Sequence, residues 1–331
     1  MQKRALAAAT TLTLALSLTA CSAGSGTADG EDGGMEKFTV GVIGIGSDAA
    51  IQTAIDKGYF AEEGLDVETT VVANPPAGIA AAQSGQLDVA YTPSIPLINA
   101  LSQNIELNVI AAADGYATEA LEGKDPGKSD DTGLFIRPDS GIARARDLAG
   151  KRIAVPARKA QLEVTVANMV LKDGGDPASI NWMVLDPASS LQSLQQERVD
   201  AAGLVAPFTT NAQAEGMKLL GSPGIEFFEA GAVGLWVAGA KQIAEEPESV
   251  AGFQRAIYRA NAYANEHLDE MDELASEITS LDLETIKNGA DPYWPSSVEL
   301  KDLQRVDSNL VNLGYLSQEV GLDETLIHGA Q

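Results

Sequence analysis

Apolar and polar positions alternate in two distinct patterns along most of the chain, and they predict strands followed by helices. The strands predicted in the first part of the chain are 38–43, 66–72, 87–91 and 107–111. In the helix predicted over 48–57, Ile51, Ala54 and Ile55 share one apolar face, and Gly58 ends the helix. Strands that alternate with helices favour a mostly parallel α/β sheet.

The same alternation resumes after an interruption. Residues 116–132 are acidic and polar with little periodicity, which predicts a long surface loop. Beyond this loop the predicted strands are 134–137, 152–155, 181–185 and 201–205, and the predicted helices are 161–172 and 188–196. The chain therefore contains two successive α/β segments.

The two segments are similar in plan. In each one a strand leads through a loop into a helix, and a later helix ends just before an aspartate and another strand. Val42 and Asp88 are 46 positions apart, and Val155 and Asp200 are 45 apart. This predicts two domains of the same construction, although two unrelated α/β segments can agree this well by chance.

The last third of the chain is predicted to be mainly helical. A strand at 235–239 precedes helices predicted at 247–268, 270–280, 283–288 and 297–313. The simplest arrangement returns these helices to the first domain, so that two strands cross between the domains, near 134–136 and 233–236. Two crossing strands form a hinge.

The amino terminus resembles a lipoprotein export signal. Lys3 and Arg4 precede an apolar stretch that closes with Thr19, Ala20 and Cys21. An ordinary signal with an incidental cysteine is the alternative. Residues 22–36 are rich in Gly, Ser, Asp and Glu, which predicts a disordered tether behind a lipid anchor on Cys21. Residues 1–20 are the predicted signal peptide and 21–36 the anchor and tether.

Composition narrows the functional classes. The net charge of −25 opposes nucleic-acid binding, although it does not determine the charge inside a pocket. Cys21 is the single cysteine, and the two histidines are His267 and His328, so a cysteine nucleophile, a histidine triad and a multi-histidine metal site are not expected. No pair of carboxylates stands out by its spacing.

Three sequence stretches resemble one family. Residues 58–67 (GYFAEEGLDV), 84–90 (SGQLDVA) and 147–155 (DLAGKRIAV) resemble segments of substrate-binding proteins from the nitrate/sulfonate/taurine class of ABC importers. Each stretch is weak alone, but their order and spacing are fairly specific. The resemblance implies a periplasmic-binding-protein type II fold, with a ligand closed between two lobes, and a permease and an ATPase as partners.

The predicted architecture follows from both lines of reasoning. It is an α/β, two-lobed fold of that type, with a two-strand hinge and C-terminal helices packed on lobe one. Lobe one is predicted at 37–133 plus 235–331, and lobe two at 134–234. The long 116–132 loop and the sequence at 157–161 depart from the family pattern, so no particular family substrate is implied.

Ligands of open α/β sheets bind beyond the carboxyl ends of the strands, where loops lead into helices. Four such loops are predicted to face one cleft, and helix amino ends there favour an anion. The candidate ligand-binding residues in and beside these loops are Gly46, Ser47, Asp48, Thr92, Pro93, Ser94, Tyr116, Arg158, Lys159, Gln161, Phe208 and Trp236. For Ser47, Thr92 and Ser94, helix capping is an equally good interpretation.

The charged and aromatic candidates suggest different kinds of ligand. Arg158 and Lys159 suit a sulfonate, carboxylate or phosphate, with a solvated surface pair as the alternative. Asp48 would repel an anion or bind an amine. Tyr116, Phe208 and Trp236 can stack on a flat ligand or simply pack in the core. The Tyr293-Trp294 pair between prolines is predicted to be a structural corner.

The sequence therefore predicts an extracytoplasmic, membrane-anchored, monomeric receptor that captures a small organic anion and delivers it to an ABC permease. It predicts no catalytic residue, metal or cofactor. A receptor for a thiamine-pyrimidine-like heteroaromatic, an enzyme on the same fold and a receptor that serves a membrane sensor are the alternatives. The sequence does not separate an importer from a sensor.

Overall fold

The computed structural model describes residues 34–122 and 126–329, and the predicted signal peptide, Cys21 and most of the tether lie outside them. The first strand begins at Glu36, the last residue of the predicted tether, because the strand pairs from there onward with the strand that starts at Leu65. The strands are β1 Glu36–Val42, β2 Leu65–Val71, β3 Val89–Pro93, β4 Leu107–Tyr116, β5 Thr132–Ile136, β6 Arg152–Val155, β7 Asn181–Val184, β8 Ala201–Val205, β9 Lys218–Gly221 and β10 Gly231–Gly239.

Helices connect and cover these strands. The helices are α1 Ala49–Asp56, α2 Tyr59–Glu62, α3 Pro75–Ser84, α4 Ser94–Leu101, α5 Thr118–Glu122, α6 Pro126–Ser129, α7 Gln161–Lys172, α8 Pro187–Gln195, α9 Phe208–Ala214, α10 Pro223–Phe228, α11 Ala240–Glu245, α12 Pro247–Glu266, α13 Leu268–Thr279, α14 Leu283–Asn288 and α15 Leu300–Asn312. Within the described ranges, none of them is both long and apolar enough to cross a bilayer.

The strands form two five-stranded sheets of the same plan. The first has the order β2-β1-β3-β10-β4, and the second has the order β7-β6-β8-β5-β9. In the first sheet β10 is antiparallel to both of its neighbours, and in the second sheet β5 is antiparallel to both of its neighbours. The predicted α/β class is confirmed, and the two segments of similar sequence plan correspond to these two sheets.

An aspartate links equivalent strands in both sheets. The carboxylate of Asp88, just before β3, accepts a hydrogen bond from the backbone N–H of Thr39 in β1 at 2.6 Å. The carboxylate of Asp200, just before β8, accepts one from the backbone N–H of Arg152 in β6 at 2.8 Å. The two aspartates whose spacing suggested a repeat therefore make the same contact.

Aromatic side chains hold the long helix α12 against the first sheet. Phe253 of α12 stacks on Phe38 at 5.5 Å and on Phe60 at 5.4 Å between ring centroids, and all three are buried. The C-terminal helices were predicted to return to the first domain, and α12 does so by packing on the first sheet through this aromatic cluster.

The chain passes between the sheets twice, at 117–131 and at 222–230. Most of the first passage was predicted as a loop, but it contains α5 and α6, and β4 extends to Tyr116. Strand β9, just before the second passage, and helix α10, within it, were not predicted, because both are short and neither has a clear periodicity. Asp130 ties the passages together, since its carboxylate accepts hydrogen bonds from Tyr116 Oη, Thr132 N and Ile225 N.

A second tie between the sheets is apolar. Helix α4 follows β3 of the first sheet, and helices α7 and α10 follow strands of the second sheet. Residues from these three helices share one buried cluster, which includes Ile95, Ile98, Val164 and Phe228. Leu310 of α15 lies in the same cluster and is fully buried. The C-terminal part of the chain thus contacts elements of both sheets.

Candidate ligand site between the two sheets

The carboxyl end of β4, an edge strand of the first sheet, is linked to that of β8, the central strand of the second sheet, beside Tyr116. The Tyr116 hydroxyl donates to Asp130 Oδ1 at 2.9 Å and lies 3.3 Å from Asp131 Oδ1. The carbonyl of Asp131 accepts from the backbone N–H of Ala206, directly after β8, at 2.8 Å. Tyr116 ends β4, so this group joins the loop edge of the first sheet to that of the second. The space between these edges is where an α/β fold binds ligands.

Asp114 is the centre of the first edge. Its carboxylate accepts from Ser47 Oγ at 2.7 Å, Tyr91 Oη at 2.9 Å and the backbone N–H of Gly234 at 3.0 Å. A side chain at position 234 would collide with this carboxylate, which explains the glycine there. Burial raises the pKa of Asp114, although its hydrogen-bond donors oppose the shift.

Asp48 shapes the loop after β1. Its carboxylate accepts from the backbone N–H groups of Gly44 at 2.8 Å and Ile45 at 3.1 Å. Burial, and to a smaller extent the charge of Asp114, raise the pKa of Asp48 to about 6. The aspartate is 4% exposed, so its role in this structure is to hold the loop that carries Ser47.

The predicted corner at Tyr293-Trp294 supports the same loop. The Trp294 indole is fully buried and donates to the carbonyl of Ser47 at 2.9 Å. Asn265 on α12 fixes the tryptophan backbone through hydrogen bonds to Trp294 N and O at 3.0 and 2.7 Å. A structural residue far along the chain therefore positions a candidate ligand-binding loop.

On the second edge, Glu163 occupies the centre. This buried carboxylate accepts from Arg158 Nε at 2.5 Å, from the backbone N–H of Lys159 at 2.9 Å and from Tyr315 Oη at 3.0 Å. Arg158 is exposed on its other side. The cation that suggested an anion site is therefore already in an ion pair.

Three candidates lie at the end of β3 and the start of α4. Thr92 and Ser94 are fully buried, and Pro93 is half-buried. The Thr92 hydroxyl donates to the carbonyl of Pro93 at 3.1 Å. The Ser94 hydroxyl has no hydrogen-bond partner among the described residues, and neither Ser47 nor Ser94 makes the capping bond that was the alternative prediction.

The remaining candidates are spread more widely. Trp236 is 3% exposed and packs edge-on against Tyr91 and Phe253, so the core-packing interpretation describes its place. Tyr116 is 8% exposed and lies at the junction of the sheets. Phe208 is half-buried at the start of α9, and Gln161 is half-buried at the start of α7. Gly46 packs beside Ala275 of α13.

Sequence reasoning missed Asp114, Asp131 and Tyr91. Asp114 interrupts a run of alanines in β4, which was a usable signal, but the predicted strand stopped at residue 111. Asp131 lay within the segment predicted to be a surface loop. The pairing of β4 with β10 places Asp114 beside Gly234, and the pairing of β5 with β8 places Asp131 beside the end of β8.

Solved structures with the same arrangement include periplasmic binding proteins. The aliphatic sulphonate binding protein SsuA from Escherichia coli superposes with a TM-score of 0.70 at 15% identity, covering 89% of this chain and 95% of that one. The nitrate-binding protein NrtA from Synechocystis PCC 6803 gives a TM-score of 0.64 at 14% identity, covering 85% and 82%. The fold is therefore that of the periplasmic binding proteins, as predicted.

The chain belongs to the NMT1/THI5-like family, whose model matches residues 47–271. A curated relative from Bacillus subtilis (strain 168), a putative aliphatic sulfonates-binding protein, is 23% identical over 240 residues, which are 71% of this chain and 68% of that protein. The family resemblance seen in the sequence is thereby confirmed.

Proposed function

We propose that this protein is the extracytoplasmic solute-binding component of an ABC importer, and that it binds its solute between the two sheets. Its relatives and structural neighbours carry names of binding proteins, and the chain shares their fold over most of its length. Sheet-edge loops from both halves supply polar groups to one space, which is the arrangement expected of a two-lobed receptor.

The observation that carries this proposal is the junction at Tyr116. One hydroxyl lies within 3.3 Å of two aspartates that precede β5, while its own strand β4 belongs to the first sheet. Two lobes, 37–133 plus 235–331 and 134–234, joined at such a junction can open and close around a solute by small rotations in residues 117–131 and 222–230.

The proposals for export, lipid anchoring and membrane partners follow from the sequence. We propose an export signal at 1–20, a lipid on Cys21 and a tether that keeps a monomeric body near the membrane, where it meets a permease and its ATPase. Lipidation is tested by labelling cells with an alkyne fatty acid. The label should be present on the wild-type protein and absent from Cys21→Ser.

Solute binding is tested without assuming a ligand. We would incubate the purified protein with the small-molecule fraction of its host's growth medium and record native mass spectra. One small molecule per chain is expected, and it should be released chemically unchanged, as from a receptor rather than an enzyme. Ser47→Phe should abolish binding by filling the cleft, whereas Ser84→Phe, exposed at the end of α3, should not.

Transport is tested in cells. Deletion of the gene should abolish uptake of the identified solute if the protein serves an importer, and should leave uptake intact if it serves a membrane sensor. If no molecule binds in the mass spectra, the receptor proposal is wrong.

A further inference from the structure

We propose that the solute bound between the two sheets carries a positive charge, which is held by Asp131 with Asp114 behind it. This inference rests on the proposed receptor function and replaces the organic anion predicted from the sequence. It follows from the charges, contacts and exposure of the groups at the two sheet edges.

Asp131 is the carboxylate that is free to bind a ligand. The residue is exposed, and the hydrogen bond from Ala206 N engages its backbone carbonyl rather than its side chain. Its side chain has one long contact, 3.3 Å to Tyr116 Oη, and that hydroxyl is closer to Asp130. An exposed carboxylate held at the junction of the sheets can accept hydrogen bonds from an ammonium or guanidinium group.

The aspartates around it lack a basic partner. Within residues 34–122 and 126–329, no lysine or arginine forms an ion pair with Asp48, Asp114, Asp130 or Asp131. Loss of solvation and then the negative charges of Asp130 and Asp114 raise the pKa of Asp131. A bound cation would offset the repulsion between these like charges.

Of the two cations on the opposite edge, Arg158 is already paired. Arg158 gives its Nε to Glu163, and Tyr315 and the Lys159 backbone complete the environment of that carboxylate. The Lys159 ammonium is the cation that remains, on an exposed residue. A sulfonate between the sheets would meet the field of several aspartates, and Arg158 could offer it only the donors that Glu163 leaves free.

A separate feature points to a bound molecule at the same edge. Ser94 is fully buried at the carboxyl end of β3, and its hydroxyl has no partner among the described residues. Buried polar atoms are nearly always hydrogen-bonded, so a missing partner indicates a group that the protein does not itself supply. A hydroxyl can accept a hydrogen bond from a cationic N–H group.

The charge preference is tested with probes of matched shape. The purified protein is titrated with choline, its neutral isostere 3,3-dimethylbutanol and isethionate, and with benzylamine, benzyl alcohol and benzenesulfonate. Binding is followed by calorimetry and by thermal stability. The cation of at least one set should bind at least tenfold more tightly than its neutral and anionic counterparts.

Variants locate the effect. Asp131→Asn should weaken binding of the preferred cation at least tenfold, and Asp114→Asn should weaken it as well. Glu106→Gln removes an exposed carboxylate at the opposite end of β4 and should leave binding unchanged. Glu163→Gln should strengthen binding of the matched anion by releasing Arg158. Because Asp131 is exposed, its asparagine variant is expected to fold, and this is checked by its unfolding transition.

The outcomes separate the two proposals. If anions bind best, or if no cation binds more tightly than its neutral counterpart, the charge assignment is wrong, although the receptor function stands when native mass spectra still show a bound solute. If Asp131→Asn and Glu106→Gln weaken cation binding equally, the effect is one of overall charge and the site is wrong. If no solute of any kind binds, the receptor function itself has failed.

Discussion

The two sheets share one plan but differ in how their edges handle charge. In the first, Asp48 holds the loop after β1 through two backbone N–H groups and has no cation beside it in the described chain. In the second, Glu163 holds the loop after β6 and also pairs with Arg158. Burial of an acid without a cation disfavours its charged form, whereas an ion pair favours it. The same sheet plan therefore has an acidic edge in the first sheet, which a cation would stabilise, and an edge in the second sheet whose charges are balanced.

The largest effect is expected from removing the two loop-holding carboxylates. Glu163→Ala loses the four hydrogen bonds that Arg158, Lys159 and Tyr315 donate to this carboxylate, and it leaves Arg158 unpaired. This should lower the free energy of unfolding by about 3 kcal/mol, at the low end of the range for buried pairs because Arg158 is half-exposed. Asp48→Ala should cost about 1 kcal/mol at neutral pH, since losing two hydrogen bonds is partly offset by removing an unfavourable buried charge. Urea unfolding at pH 7 measures both. Equal losses would contradict the comparison.

The next effect is a pH dependence that only the first edge should produce. The pKa of Asp48 is about 6 in the folded protein and 3.8 in the unfolded chain. Between these values the folded state binds more protons, so the stabilisation is complete below the lower value and is lost as pH rises through the higher one. The loss from this group should be about 2–3 kcal/mol. The raised pKa values of Asp114 and Asp131 act in the same direction.

This dependence is measured by urea unfolding at about pH 5, 6 and 7.5 in wild type and in Asp48→Asn. The variant keeps a hydrogen-bond acceptor and should show a flatter profile. Wild-type stability that rises with pH over this range would mean that the first edge is balanced by a cation.

A smaller effect should distinguish the two strand-linking aspartates. Asp88→Ala and Asp200→Ala each lose a charged hydrogen-bond acceptor of a strand N–H, which should cost about 1–2 kcal/mol. Asp88 bonds the neutral hydroxyl of Thr39, whereas Asp200 bonds the guanidinium of Arg152, which also lowers the pKa of Asp200. The cost of Asp200→Ala should therefore shrink in about 1 M NaCl, and that of Asp88→Ala should not.

The smallest effect concerns the contact between Glu163 and the C-terminal segment. Tyr315→Phe removes one hydrogen bond to Glu163 and should lower the free energy of unfolding by about 1 kcal/mol. In a double-mutant cycle with Glu163→Ala, the two losses should be non-additive, because both changes remove the same hydrogen bond. Additive losses would show that Tyr315 acts only by packing.

The α/β class, the repeated plan, most strands and helices of regular period, and the family could all be predicted from the sequence. Local patterns suffice for these, because each strand or amphipathic helix records its buried face in its own residues. The equivalence of Asp88 and Asp200, inferred from their spacing, and the structural role of Trp294 could also be predicted in this way. Short elements such as β9 and α10 were not, since four to six residues carry too few periods.

The charge of the cleft, by contrast, could not be predicted without the packed chain. In the sequence, Arg158 and Lys159 were the prominent ionic groups. In the structure, Arg158 forms an ion pair with Glu163, five positions further along, and Tyr315 from the C-terminal part of the chain donates to the same carboxylate. Asp114 and Asp131 were not noticed in the sequence, and they lie near the same junction because β4 pairs with β10 and β5 pairs with β8. The electrostatic character of a site depends on which charges are neighbours and how far water is excluded, and both are properties of the packed chain rather than of any segment of it.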